Sequence, residues 1–406
     1  MNSLHDIAMS HKTIVCVGSG GVGKTTSSAV IALHAALSGR KTLVLTIDPA
    51  KRLANSLGLD GIGHEETQIP LQDLLAEDDV EIAEGGELWA MMLDMKEAFD
   101  RVVLRNTSKD DAERILANRF YQSFSSSLSG TQEYSAIEQL FELRRSGRYD
   151  LIVLDTPPTQ HALDFLDAPD RLYEALDNSA LQWMYKPALA SGKVGLGIVR
   201  LGAKGIRRTL GKLTGNRMLE DTAVFLEAIA PIFDALKERA TNVRELLHDK
   251  KTTFLVVTSP DPHTVAEAIY FDEKLKAHKV DFGGFVVNRV RQSIMPSGEE
   301  VPSARELAEQ IAAIPGADLM DPSEVARLAE KLKSNGKEFD LLAAADRAAI
   351  DRLVEDQATA VFEVPFYSTD IYSIRGLNRV RDDLFEIDSN GPNLSAEHSA
   401  ASSEHE

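Results

Sequence analysis

Short runs that are mostly apolar on both faces recur along the chain: Thr13–Val17, Thr42–Ile47, Leu88–Leu93, Leu151–Leu154, Phe254–Thr258, Phe285–Val287 and Val361–Pro365. Runs apolar on both faces, rather than alternating with polar residues, are the pattern of strands covered on both sides. The stretches between them carry helical spacing, most clearly Ala112–Phe120 and Ser135–Leu143 within a largely helical 100–147. Buried strands alternating with helical crossovers predict an α/β fold, a doubly wound and mostly parallel sheet. The first and last strand candidates lie near opposite ends of the chain, so if both join one sheet the middle is an insertion. That insertion, about 171–250, has few strand signals. Within it Val224, Phe225, Ala228, Ile229, Ile232, Phe233 and Leu236 recur at helical spacing, which predicts an inserted helical subdomain. From about residue 388 to 406 the chain turns to Ser, Ala, Asn, Glu and His, too polar to pack, and predicts a disordered acidic tail after a domain spanning 1–387.

Charge and cysteine count narrow the chemistry. Lys and Arg number 44 against 63 Asp and Glu, a net charge of −19, which repels nucleic-acid phosphates except where basic residues are locally concentrated and disfavours general nucleic-acid binding. Cys16 is the single cysteine, which rules out an intrachain disulfide, a CxxC zinc clamp, a cysteine-held iron–sulfur cluster and a multi-thiolate metalloid site within one chain. Residues 1–12 hold His5, Asp6 and His11 without an apolar core, and no window reaches 18 consecutive apolar residues; the expectation is a soluble, cytoplasmic protein.

The strongest chemical signal follows the first strand. Gly18-Ser19-Gly20-Gly21-Val22-Gly23-Lys24-Thr25 fits the phosphate-loop pattern G-x-x-x-x-G-K-[ST] and runs into an Ala-rich helical stretch from Thr26 to Leu37, giving strand, loop and helix in the required order. Glycines let successive backbone N–H groups converge on phosphate oxygens, and the helix N-terminus favours an anion. This marks Gly20, Gly21, Val22, Gly23, Lys24, Thr25 and Thr26 as nucleotide-binding, with Lys24 reaching the terminal phosphates and the Thr25 hydroxyl facing Mg²⁺; ATP and Mg²⁺ are the expected ligands. Asp155 ends Leu151–Leu154 and Asp48 follows Thr42–Ile47, so each carboxylate falls at the carboxyl end of a buried strand, where parallel sheets hold ligands. One acid for the Mg²⁺ shell and one for water is what phosphate hydrolysis requires.

Three stretches together resemble the arsenite-pump ATPase (ArsA) family, which includes the tail-anchored-protein targeting ATPases: Gly18–Thr26, Asp48-Pro49-Ala50-Lys51-Arg52-Leu53 and Asp155-Thr156-Pro157-Pro158-Thr159-Gln160-His161. The second is similar to that family's switch I and the third to its switch II. The resemblance implies that Asp48 positions the attacking water, that Asp155 holds a water of the Mg²⁺ shell, and that Asn288 contacts adenine. It further implies a homodimer or a dimer of related subunits, closed by ATP across the nucleotide faces, with a helical subdomain for a protein client or a membrane surface. Two departures stand out. Ser19 occupies the place of a lysine that in the family reaches the partner's nucleotide, and Lys51-Arg52 replaces His-Asn in switch I, suggesting that one of these cations substitutes for the missing one.

A second feature is independent of the resemblance. Residues 191–218 interleave seven glycines and seven cations with aliphatic residues and contain no acid, a mixture suited to an anionic membrane surface or an apolar client segment. Together these features predict an ATPase whose helical subdomain engages a partner. The alternatives are a nucleotide-gated binding module with little turnover, an anion- or arsenite-stimulated transport ATPase subunit, disfavoured by the single cysteine, and a ParA- or MinD-like positioning ATPase, disfavoured by the long helical insertion.

Overall fold

The computed structural model describes residues 3–47, 52–57, 59, 61–76, 80–93, 103–104, 107–118, 131–156, 162–177, 237–293, 301–315, 320–354 and 359–387. Asp48, switch I up to Lys51, switch II after Thr156, the basic segment 191–218 and the tail from 388 lie outside them, as does most of the predicted helical subdomain. Eight strands form one sheet: β1 Thr13–Val17, β2 Lys41–Thr46, β3 Thr67–Ile69, β4 Glu87–Met92, β5 Leu151–Asp155, β6 Thr252–Thr258, β7 Phe282–Val290 and β8 Val361–Pro365. The helices are α1 Leu4–Ser10, α2 Lys24–Leu37, α3 Arg52–Ser56, α4 Leu71–Leu74, α5 Lys109–Leu116, α6 Thr131–Ser146, α7 Ala162–Asp177, α8 Pro262–His278, α9 Ala304–Ala312, α10 Pro322–Asp351 and α11 Ile374–Leu384; a further helical stretch covers 237–247.

The strand order is β3-β4-β2-β5-β1-β6-β7-β8, parallel throughout except for the β3–β4 edge pair. This is the doubly wound, mostly parallel sheet that the apolar runs predict. Along each central strand the side chains divide between two cores. Val15, Leu43, Leu45, Ile152, Leu154, Phe254 and Val256 face α6, α7 and α8, while Ile14, Cys16, Val44, Val153, Leu255 and Val257 face α1, α2 and α11. Every position of β1, β5 and β6 is buried, so alternation of face leaves no polar side to read. The antiparallel edge strand β3 is absent from the apolar runs because Thr67-Gln68-Ile69 buries only Ile69. Strand β7 extends beyond Phe285–Val287 in both directions, across Gly283-Gly284 and Asn288-Arg289, where polarity and glycine interrupt the hydrophobic run.

Helix α2 is buried at almost every position, and its alanines let it lie close to the sheet. Helix α11 covers its outer side with Ile374, Leu377, Val380 and Leu384. His34, in the last turn of α2, is stacked flat on Phe385 with ring centroids 3.6 Å apart, and its Nε2 lies 2.9 Å from Nδ1 of His5 on α1. Burial, reinforced by His5 and Arg381, pushes the His34 imidazole down to about 3. The unfolded imidazole titrates near its ordinary value of about 6.5, so between these values the unfolded chain binds a proton that the folded one does not. Stability from this site is therefore complete above about pH 6.5 and declines as pH falls, by about 1 kcal/mol per unit. Urea midpoints followed from pH 7 to pH 5 should drop more steeply for the wild type than for His34→Gln; coincident slopes would refute the assignment.

Candidate functional site

The phosphate loop emerges at the carboxyl end of β1, between β5 on one side and β6 on the other, which is the point where the chain's crossovers reverse direction and parallel sheets open a crevice. Its geometry depends on glycine at three positions. Gly18 has φ +151°, and a Cβ there would lie 2.1 Å from the Val257 carbonyl oxygen on β6. Gly23 has φ +99°, and a Cβ would lie 2.1 Å from Nδ2 of Asn288. Gly21 has φ +78° with nothing within 4 Å, so only its backbone conformation is demanding. Gly20 and Gly21 form the exposed tip, whereas Val22 is buried beneath it.

Helix α2 begins at Lys24 with Gly23 as its N-cap and no side chain capping it, so its first-turn N–H groups remain directed toward the loop. The Lys24 Nζ donates to the carbonyls of Gly18 at 2.8 Å and Ser19 at 2.6 Å, curling the ammonium over the concave side of the loop. Thr25 donates from Oγ1 to Oδ2 of Asp155 at 2.8 Å. The same carboxylate oxygen accepts from Thr46 Oγ1 at 2.9 Å. Asp155 is fully buried at the end of β5, paired in register with Thr46 of β2 and Cys16 of β1. Thr156 extends the same edge, donating from its hydroxyl to the Cys16 carbonyl at 2.8 Å. Three adjacent strand ends are thereby tied to the first turn of α2.

Sequence reasoning singled out Lys24, Thr25, Asp155 and Asn288, and the structure gathers them along one edge of the sheet. Thr26 follows on α2; Asp48 lies outside the described residues, two positions beyond Thr46. Asn288 donates from Nδ2 to the Val22 carbonyl at 2.9 Å and accepts from the Arg289 N–H at 3.0 Å, so its amide braces the loop from β7. Two participants were missed. Thr46 could have been found as the hydroxyl two positions before Asp48 on the same strand. Glu267 of α8 accepts a hydrogen bond from the Ser19 hydroxyl, and no local signal in the sequence announces that contact.

The donors favour hard cations and anions rather than soft metals. The hydroxyls of Thr25 and Thr46 both lie within hydrogen-bonding distance of the Asp155 carboxylate, a set of oxygens of the type that suits Mg²⁺. Among the described residues no group of three or more His, Cys, Asp or Glu side chains is placed to enclose a metal. Cys16 is fully buried in β1, and that burial pushes its thiol up to about 12, leaving it protonated and unsuited to bind a soft metalloid as thiolate. No helix among the described residues is long and apolar enough to cross a membrane.

Comparison with known proteins gives the family. Residues 11–311 match the family described as Anion-transporting ATPase. Among curated relatives, ATPase ASNA1 homolog 1 of Paramecium tetraurelia is 28% identical over 284 residues, covering 69% of this chain and 75% of the relative. ATPase get3 of Aspergillus terreus is 27% identical over 278 residues, covering 67% of this chain and 71% of the relative. A putative arsenical pump-driving ATPase of Chlorobaculum tepidum is 27% identical over 259 residues, covering 64% of this chain and 56% of that protein. A phosphate loop at the switch point of a doubly wound sheet, matched through to residue 311, places this chain in the anion-transporting ATPase (ArsA) family of ATP-hydrolysing enzymes.

Proposed function

We propose that the chain hydrolyses ATP to ADP and phosphate in a Mg²⁺-dependent reaction, and that nucleotide closes a dimer whose helical segment, about 171–250, engages a protein client or a membrane surface in the cytoplasm. The observation that carries the hydrolytic part is the convergence of Lys24, Thr25 and the buried Asp155 at the mouth of the glycine cradle. The dimer and the client rest on the family resemblance, and the buried, protonated Cys16 speaks against arsenite capture by thiolates.

The loop N–H groups and the α2 N-terminus bind the β- and γ-phosphates, and Lys24 transfers its ammonium from the loop carbonyls to the phosphate oxygens. Thr25 and Asp155 are the residues that would hold Mg²⁺, Thr25 through its hydroxyl and Asp155 through a water. A Mg²⁺ ion held by these residues would supply neutralisation of the charge that builds on the phosphate oxygens. Asp48 accepts a hydrogen bond from the attacking water and orients its oxygen toward the γ-phosphorus. As the water oxygen bonds to the γ-phosphorus, the bond from that phosphorus to the bridging oxygen breaks. ADP departs with the electron pair, and the water's proton passes to solvent. The protein contributes mainly by fixing positions and charge, since phosphoryl transfer needs little covalent help.

Asp48→Asn separates binding from chemistry. Calorimetry with MgATP should give an affinity close to wild type, while steady-state phosphate release falls by about a hundredfold or more; normal turnover would refute the role of Asp48. One observation favours a second reading, a nucleotide-gated switch with little turnover: residue 19 carries a serine held by an acid where the family carries a lysine. Phosphate release from the wild type, measured with and without Mg²⁺, decides between the two.

A further inference from the structure

Residue 19 is a crossing point of opposite charges. Its carbonyl accepts the Lys24 ammonium at 2.6 Å, and its hydroxyl donates to the carboxylate of Glu267. Glu267 is positioned by more than that one bond. Helix α8 starts at the carboxyl end of β6, the neighbour of β1, with Pro262 in its first turn and Asp261 as N-cap, so its first two turns stand beside the phosphate loop. Val265 and Ala268 anchor this end in the core, and Glu267 lies on the flank next to that buried stripe. One turn earlier, the His263 ring nitrogen Nδ1 lies 3.5 Å from Glu267 Oε1, completing a second contact on the outer side.

We propose that Glu267 is a positioning residue that sets nucleotide affinity: its carboxylate, docked on the Ser19 hydroxyl, places negative charge beside the phosphate cradle and weakens the binding of polyphosphates. The proposal rests on the reading that this cradle takes ATP. The loop's assets for an anion are its N–H groups, the α2 N-terminus and Lys24, and all are local. A carboxylate at the edge of the same loop opposes each of them, most strongly for the ligand with the most phosphate charge. The Glu267 side chain keeps 39% of its surface exposed, so water and salt attenuate its field, and the effect belongs to affinity rather than to bond breaking. A tempered affinity suits a protein that must release nucleotide between cycles.

The test uses the full chain, with affinities measured by calorimetry for MgATP, MgADP and AMP. Glu267→Gln keeps an oxygen to accept the Ser19 hydroxyl but removes the charge, and should tighten MgATP by about threefold to tenfold at low salt. MgADP should tighten less and AMP hardly at all, and the gain for MgATP should shrink at 0.5 M salt. In turnover assays KM should fall more than kcat changes. Glu267→Lys should tighten MgATP further. Ser19→Ala removes the hydrogen bond while leaving the carboxylate in place, and should not reproduce the gain. The proposal is overturned if Glu267→Gln binds MgATP within twofold of wild type or more weakly, if Ser19→Ala gives the same tightening, or if the gain persists undiminished in high salt. A wild type that binds no MgATP would overturn the ATPase reading together with this one. Wild-type binding with indifferent variants overturns the role of Glu267 alone.

Discussion

Lys24→Ala should lower ATP hydrolysis by at least about a thousandfold, because a cation preorganised at the transferring phosphoryl group supplies the charge stabilisation on which such reactions depend. Two losses combine in this variant. The first is electrostatic, since the ammonium is the cationic side chain that the phosphate loop itself contributes. The second is structural: the Gly18 and Ser19 carbonyls, which now accept from Nζ at 2.8 and 2.6 Å, lose their donor, and the loop relaxes away from its concave form. Steady-state phosphate release measures the outcome, with a thermal melt to show that the fold persists. Residual turnover above about a tenth of wild type would mean that the cradle is not where the γ-phosphate reacts.

The second large effect is on the fold around the site. Gly18→Ala should destabilise the protein by about 2–4 kcal/mol, because the new methyl meets a backbone oxygen that cannot rotate aside. That oxygen belongs to Val257, within the fully buried β6 at the centre of the sheet, and the φ of +151° is itself unfavourable for alanine. Gly21→Ala provides the comparison. At φ +78° with open space around it, it should cost only about 1 kcal/mol, the price of a left-handed conformation without a clash. Urea denaturation of the two variants should therefore separate conformational strain from collision; equal losses would refute the tight seating of Gly18 on β6.

What was legible in the sequence follows from range. Strand β1 was visible to the residue because it is buried at every position and reads as a nearly continuous apolar run, β8 because Val361, Phe362 and Val364 stand out between polar neighbours, and the phosphate loop because its chemistry lies within eight consecutive positions. Asp155 could be placed at the carboxyl edge because a strand's end and its last carboxylate are neighbours in the chain. The helix α10 start was also written locally, as Asp321-Pro322 with Glu324 completing a capping box, although the apolar-run reading passed over it. By contrast, Ser19 meets Glu267 across 248 positions and Asn288 meets Val22 across 266. Such pairings are decided by strand order, which no local pattern encodes. The sequence could show that a lysine was missing at residue 19, but not that an acid stands against it.

The placement of β1 has a consequence for how the chain is made. Of the eight strands this one is synthesised before the other seven, yet its nearest partners begin pairing at Ile152 on one side and Thr252 on the other. Until those segments are synthesised, Ile14, Val15 and Val17 lack both of their neighbouring strands, and the nascent chain carries a sticky, strand-forming stretch. Holding that stretch out of aggregation during translation is a burden imposed by the same central position that later buries it completely.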